Sequence, residues 1–156
     1  MSVYTAKPVA SSTALHDEIS VGAVNGGSDT NPMWTSEISS GNFGQALRES
    51  LKSVGMLASS QGEGRYLLMA DLLSVDQPIA GFTLSVTMRV RYMLRNLGSN
   101  DIIYNEIIGS TGSATMGDAF FGVKRLRLAN EEAAQKNIAK LIKELKRLGA
   151  NVVAVK

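Results

Sequence analysis

Phe82-Thr83-Leu84-Ser85-Val86-Thr87-Met88-Arg89-Val90-Arg91-Tyr92-Met93-Leu94 decides the fold. Every even position is apolar, from Phe82 through Leu84, Val86, Met88, Val90 and Tyr92 to Leu94. The odd positions hold Thr83, Ser85, Thr87, Arg89, Arg91 and Met93, with Arg95 just beyond. Side chains alternate across a strand, so a period of two kept this long predicts one face on a core and one toward water. Phe82 and Tyr92 both fall on the expected core side.

Working outward, Gln77 to Gly81 reads as the turn before this strand, and Asn96 to Asp101 as the turn after it. Tyr66 to Val75 and Ile102 to Ile108 read as the neighbouring strands, giving an antiparallel meander. Ile19 to Val24 reads as a further strand. Between it and Tyr66, Phe43, Leu47, Leu51 and Val54 recur at helical spacing. Asn42 and Gln45 suggest a capping box at the helix start, and Gly55 suits the left-handed residue past its end.

A second helix is marked by Ala134, Ile138, Leu141, Ile142, Leu145 and Leu148. Glu131 and Glu132 are read near its start, with Asp118 or Asn130 as cap. Lys143, Lys146 and Arg147 are read near its end, as the helix dipole favours, and Gly149 as its stop. Gly109 to Gly117 reads as a loop, and Val152 to Val155 as a short edge strand.

The expected class is α+β: a two-layer sandwich in the order β-α-β-β-β-α, its sheet mostly antiparallel, with both helices on one face. Residues 1–17 mix Ser, Thr, Ala and Pro without a period and read as a flexible leader before a single α/β domain over 18–156. One strand complicates this: Tyr66, Leu68, Ala70 and Leu72 lie on one side, Leu67, Met69, Leu73 and Val75 on the other. A strand apolar on both faces needs a second cover, either the leader or a like subunit.

The chain has 156 residues, 44% hydrophobic, and no cysteine. That suits one domain with a real core and excludes disulfides, zinc–cysteine sites and thiol nucleophiles. No apolar run reaches the ~20 residues of a membrane-spanning helix. The beginning, Met1 to Pro8, lacks a signal peptide's basic segment and apolar run, which leaves a cytoplasmic chain or one whose signal has been removed. Residues 1–80 hold four basic and eight acidic groups, residues 81–156 twelve and six, within a net charge of +2. A basic half suits an anionic partner, though a solvated helix and sheet face gives the same pattern.

Little catalytic chemistry is legible. The single histidine, His16, falls in the leader, which argues against a Ser-His-Asp arrangement and against histidine metal sites. Asp71, Asp76, Asp101, Glu106 and Asp118 remain for a carboxylate mechanism. Gly62-x-Gly64 precedes a strand, so it does not fit a dinucleotide loop. Gly109-Ser110-Thr111-Gly112 reads as a turn. No metal or cofactor is expected.

Two groups of binding residues stand out. Arg89, Arg91 and Arg95 share the open sheet face, where RNA reading would want aromatic residues; anionic lipid or lipopolysaccharide suits them better than nucleic acid. The second group lies in Asn25 to Ser36, long for a strand-to-helix connection. It holds Trp34, which seals the core or anchors a partner, beside Met33, with Asp29 and Asn31 setting the loop's shape.

Taken together, Asn25-Gly26-Gly27-Ser28-Asp29-Thr30-Asn31-Pro32-Met33-Trp34-Thr35-Ser36, Asp118-Ala119-Phe120-Phe121-Gly122 and Arg125-Leu126-Arg127-Leu128-Ala129-Asn130-Glu131 resemble a family of small bacterial cell-envelope lipoproteins of undefined function. The likeness runs from about Ile19 to Leu148. It implies a lipidated cysteine after a signal peptide, absent from this sequence, and a place on the periplasmic face of the outer membrane. The element order also resembles the lipoprotein partner of the lipopolysaccharide translocon and, more loosely, lipoproteins that activate cell-wall synthases; none of their binding residues can be matched here. The expectation is a non-enzymatic binding or scaffolding subunit, with a homo-oligomer or an envelope protein as partner. A cytoplasmic anion- or nucleic-acid-binding domain is the alternative, and a carboxylate-dependent enzyme a third.

Overall fold

The computed structural model describes residues 13–26, 39–77, 82–119 and 121–154. Its elements follow the expected order: β1 (Ile19–Gly26), α1 (Ser40–Ser53), β2 (Tyr66–Asp76), β3 (Leu84–Asn96), β4 (Ile102–Ala114) and α2 (Gly122–Ala154). The sheet runs β1-β2-β3-β4; β1 lies parallel to β2 across the α1 crossover, and the other pairs are antiparallel. Both helices pack on one face, making the α+β two-layer sandwich.

The period-two pattern of β3 is realised residue by residue. Leu84, Val86, Met88, Val90, Tyr92 and Leu94 are buried, and Ser85, Thr87, Arg89 and Arg91 are exposed. Phe82 departs from it: it lies before the strand and is 80% exposed. On α1, Phe43, Leu47 and Leu51 are fully buried, as is Val54 just after it. The Ser39 side chain accepts the Asn42 N–H and caps the helix, so Asn42 sits inside the first turn and the Asn42–Gln45 box does not form. Gly55 closes the end with a φ of 73°, the left-handed conformation that favours glycine.

β4 is longer than its apolar run predicted. Gly109 to Ala114 continue the strand, Ser113 opposite Ser85 and Thr111 opposite Thr87, with their hydroxyls joined at 3.0 and 3.2 Å. Gly109-Ser110-Thr111-Gly112 is therefore strand and not turn. A Cβ on Gly112 would lie 2.1 Å from Ala129 O and 2.3 Å from Ala133 N. That glycine lets the α2 backbone rest directly on the sheet.

α2 begins at Gly122, between the two expected caps, and passes Gly149 to reach Ala154, so no edge strand forms at 152–154. The predicted stripe is buried at Ala134, Ile138, Leu141, Ile142 and Leu145. Because the helix starts earlier and ends later than read, Glu131, Glu132, Lys143, Lys146 and Arg147 lie in its interior. Its first turn is without acidic residues and its last without basic ones, so the dipole reading does not apply. Glu131 instead pairs with Arg127, and Glu132 with Lys136.

Residues 13–17, the end of the stretch read as leader, form a turn, and Leu15 is fully buried in the core cluster. Gly149 makes room for this turn, since a Cβ there would stand 2.8 Å from Thr13 Cγ2.

The apolar second face of β2 is shorter than read, and residues 1–12 of the leader expected to cover it lie outside the described residues. A bulge between Leu72 and Ser74 shifts the register, so Ser74 pairs with Arg89 and Val75 with Met88. Val75 thus turns to the core side and packs against it. The extra residue, Leu73, is left 43% exposed; such a bulge opposes two residues to one. Only Leu67 and Met69 remain as half-buried apolar groups on the outer face.

Candidate interaction surface and the open sheet edge

Arg89, Arg91 and Arg95 form a column on the sheet face opposite the helices. The alternation of β3 places them there. Arg89 lies between Ser74 and Gly109, and Arg91 between Asp71 and Ile107. Arg95 lies opposite Leu67, half-buried, and its Nε is buried without a hydrogen bond. Met93 separates Arg91 from Arg95 and pairs with Met69. The surface is a guanidinium column interleaved with Leu67, Met69, Met93 and Ile107.

Among the described residues none of the three arginines has a carboxylate within ion-pair distance. Asp71, the nearest acidic neighbour by register, is held by Asn25, whose Nδ2 donates to it at 3.1 Å. Guanidinium groups beside apolar side chains suit a ligand that brings anions together with hydrocarbon.

Asp29, Asn31, Met33 and Trp34 lie outside the described residues, so only the arginine group is placed. The carboxylates considered for catalysis have separate surroundings. Asp118 accepts the Thr115 N–H and hydroxyl, which hold its pKa below the ordinary 3.8. Among the described residues no three His, Asp or Glu side chains gather to hold a metal ion. His16 stands 3.2 Å from Asp17 in the turn before β1.

A second feature was not read from the sequence. β4 is an edge strand, and α2 closes only its C-terminal part. Glu132 accepts the Ser113 N–H at 2.6 Å and Lys140 donates to Gly109 O. The Ser110 hydroxyl donates to Ala133 O. The Ser113 contact with Glu132 also lowers that carboxylate's pKa, assisted by Lys136.

From Ile102 to Ile107 no such closure is present among the described residues. A groove of about 480 Å³ runs beside this stretch, lined by Tyr104, Glu106, Ile107, Lys140, Lys143 and Glu144 among others. The Tyr104 hydroxyl is buried there without a hydrogen bond. Burial, and then the carboxylates of Glu144 and Glu106, push its pKa up to about 12. Ile102 and Ile107 are 49% and 41% exposed. The one available sequence signal was Ile102-Ile103 and Ile107-Ile108, apolar on both faces of a strand that only one neighbour pairs.

Neither a protein-family model nor a curated protein sequence matches the chain. Solved structures do. Protein XCC0632 from Xanthomonas campestris, of the DUF330 family, superposes with a TM-score of 0.68 at 12% identity, covering 93% of this chain and 92% of that one. A Caulobacter crescentus CB15 chain provisionally described as a lipoprotein gives 0.56 at 13% identity, over 92% and 95%. PelC from Paraburkholderia phytofirmans, crystallised as a dodecamer, gives 0.52 at 18% identity, over 93% and 95%. The shared feature is the fold, over nearly the full length of each chain.

Proposed function

We propose that this chain is the globular domain of a bacterial envelope lipoprotein that works as a non-enzymatic binding or scaffolding subunit. In this reading a lipid on an N-terminal segment anchors it to the periplasmic face of the outer membrane. The outer sheet face meets an anionic amphiphile, a phospholipid or lipopolysaccharide surface.

The observation that carries the reading is the column Arg89–Arg91–Arg95 with Leu67, Met69, Met93 and Ile107 between and beside it. Guanidinium groups beside methylene and thioether surface supply binding chemistry rather than proton transfer. The fold shared with a chain described as a lipoprotein adds support, as does the sequence phrasing of Asn25–Ser36 and Arg125–Glu131. Fold alone does not carry function, so the arginine face bears the argument.

Two measurements test it. The natural gene, expressed in a bacterial host with radiolabelled palmitate, should give a labelled product in the outer-membrane fraction; an unlabelled product in the cytosol overturns the lipoprotein reading. The unlipidated domain should sediment with phosphatidylglycerol vesicles and not with phosphatidylcholine vesicles. Equal behaviour with both overturns the anionic-surface reading.

A further inference from the structure

The sheet has two edges, and they are treated differently. Outside β1, Ile19 donates to Met56 O and accepts from the Ala58 N–H, and Gln61 donates to Val21 O. Along β4, the helix side chains of Glu132 and Lys140 serve Ser113 and Gly109. In an antiparallel ladder the N–H and C=O of one residue point the same way and alternate along the strand. The outward set that contains Ser113 and Gly109 therefore continues at Ile107 and Asn105, where no partner exists among the described residues. Open edges are commonly shielded by charge, proline or a covering element, yet this stretch carries only Glu106 as a charged group and no proline.

We propose that two copies of this chain join here, β4 against β4, antiparallel about a twofold axis at Asn105, making one continuous eight-stranded sheet. The choice of a second copy follows from self-complementarity. A dyad at Asn105 centres the contact on an outward N–H and C=O that no strand among the described residues uses. It also sets Tyr104 opposite Glu106 of the second copy, which brings an acceptor beside a buried hydroxyl that lacks one. Moving the axis to Glu106 would set that carboxylate against its own copy, a like-charge pair that destabilises a sheet.

Charge points the same way. The groove holds Glu106 and Glu144 with Lys140 and Lys143, a neutral set that a twofold axis matches to itself. An isologous contact needs one patch that is complementary to its own copy. The pairing does not depend on what the arginine face binds, since it is made by the strand edge.

Sedimentation and light scattering on the purified domain should show a dimer. Asn105→Pro removes an N–H that no strand among the described residues uses, a change edge strands tolerate. Ile107→Lys sets a cation against apolar surface. Each variant should be monomeric while its circular dichroism stays that of the parent. Because the chain has no cysteine, Asn105→Cys introduces a single thiol. Across the dyad the two Cα atoms would stand about 5.5 Å apart, within disulfide reach. Oxidation of the Asn105→Cys variant should link the two copies through position 105, whereas Ser59→Cys, exposed on a loop, should give no linked dimer. A domain that stays monomeric at high micromolar concentration overturns the proposal. So does a dimer that ignores both edge variants and fails to cross-link at position 105.

Discussion

The Tyr92 hydroxyl donates to Asn137 Oδ1 at 2.7 Å, with both side chains fully buried, and ties the centre of β3 to the middle of α2. Asn137 in turn donates through Nδ2 to Ile108 O at 2.9 Å and to Ser110 Oγ at 3.0 Å. One amide thus joins the helix to two strands. Burial, with Tyr104 adding to it, raises the Tyr92 pKa well above 10.0.

Tyr92→Phe keeps the ring and strands the Asn137 oxygen inside the core. An unsatisfied buried acceptor costs about 1–3 kcal/mol, so the urea midpoint should fall with an unchanged slope. Asn137→Ala should cost more, because it abandons the Tyr92, Ile108 and Ser110 groups together. Equal stability of Tyr92→Phe and the parent in urea titration would show that the network contributes nothing net.

Gly112→Ala tests the close approach of α2 to β4. The added methyl would meet the backbone at Ala129 and Ala133, and backbone cannot rotate away as a side chain can. Overpacking of this kind costs about 1–3 kcal/mol or more. Gly109→Ala, where nothing lies within 4 Å of a Cβ, is the matched control and should be near neutral. Thermal melts of the two variants should separate accordingly.

The difference between these two glycines also marks the limit of what sequence can convey. The alternation from Leu84 to Leu94 and the stripe from Ala134 to Leu145 were legible because burial repeats at the period of the element. Gly109 to Ala114 were not: small residues carry no period and resemble a loop, although Gly112 is small so that a helix can touch the strand. The bulge at Leu73 was hidden for a related reason. A single extra residue reverses which side Val75 faces, and no residue type announces it. Among the candidate binding residues, Arg89, Arg91 and Arg95 were legible from parity alone. The open edge at Asn105 was not, because strand order and the reach of Glu132 and Lys140 decide it.

Leu15→Ala should destabilise the domain by roughly 2–5 kcal/mol, the usual range for a buried leucine truncated to alanine. Leu15 is fully buried, and His16 N–H to Thr13 O and Asp17 N–H to Gly55 O fix its turn. Deleting residues 1–17 should lower the denaturant midpoint at least as far as Leu15→Ala does. A deletion that keeps the parent's midpoint would remove this turn from the fold's account.

Acid should weaken the link between β4 and α2. Glu132 is lowered below 4.5 chiefly by the Ser113 N–H and then by Lys136. A carboxyl whose folded pKa is depressed contributes stability above its unfolded value and loses it as pH falls through the folded one. Its contribution is therefore complete at neutral pH and fades below 4.5. Melting temperatures of the parent and Glu132→Gln should differ near neutrality and converge in acid; a constant gap across that range would assign the effect to shape and not to charge.

The last expectation concerns the arginine column. Each basic residue near an anionic membrane surface contributes about 1 kcal/mol, so replacing Arg89, Arg91 and Arg95 with Gln should weaken vesicle binding on the order of 100-fold. Arg89 and Arg91 are exposed and should lose their effect in high salt, where the screening length shrinks. Arg95 is half-buried against Leu67, so part of its contribution is packing and should persist. Arg95→Gln alone should therefore reduce stability slightly, whereas Arg89→Gln and Arg91→Gln should leave the melting temperature unchanged. If the triple variant binds phosphatidylglycerol vesicles as the parent does, and added salt releases neither, the column is a solvated sheet face and the binding surface lies elsewhere on the molecule.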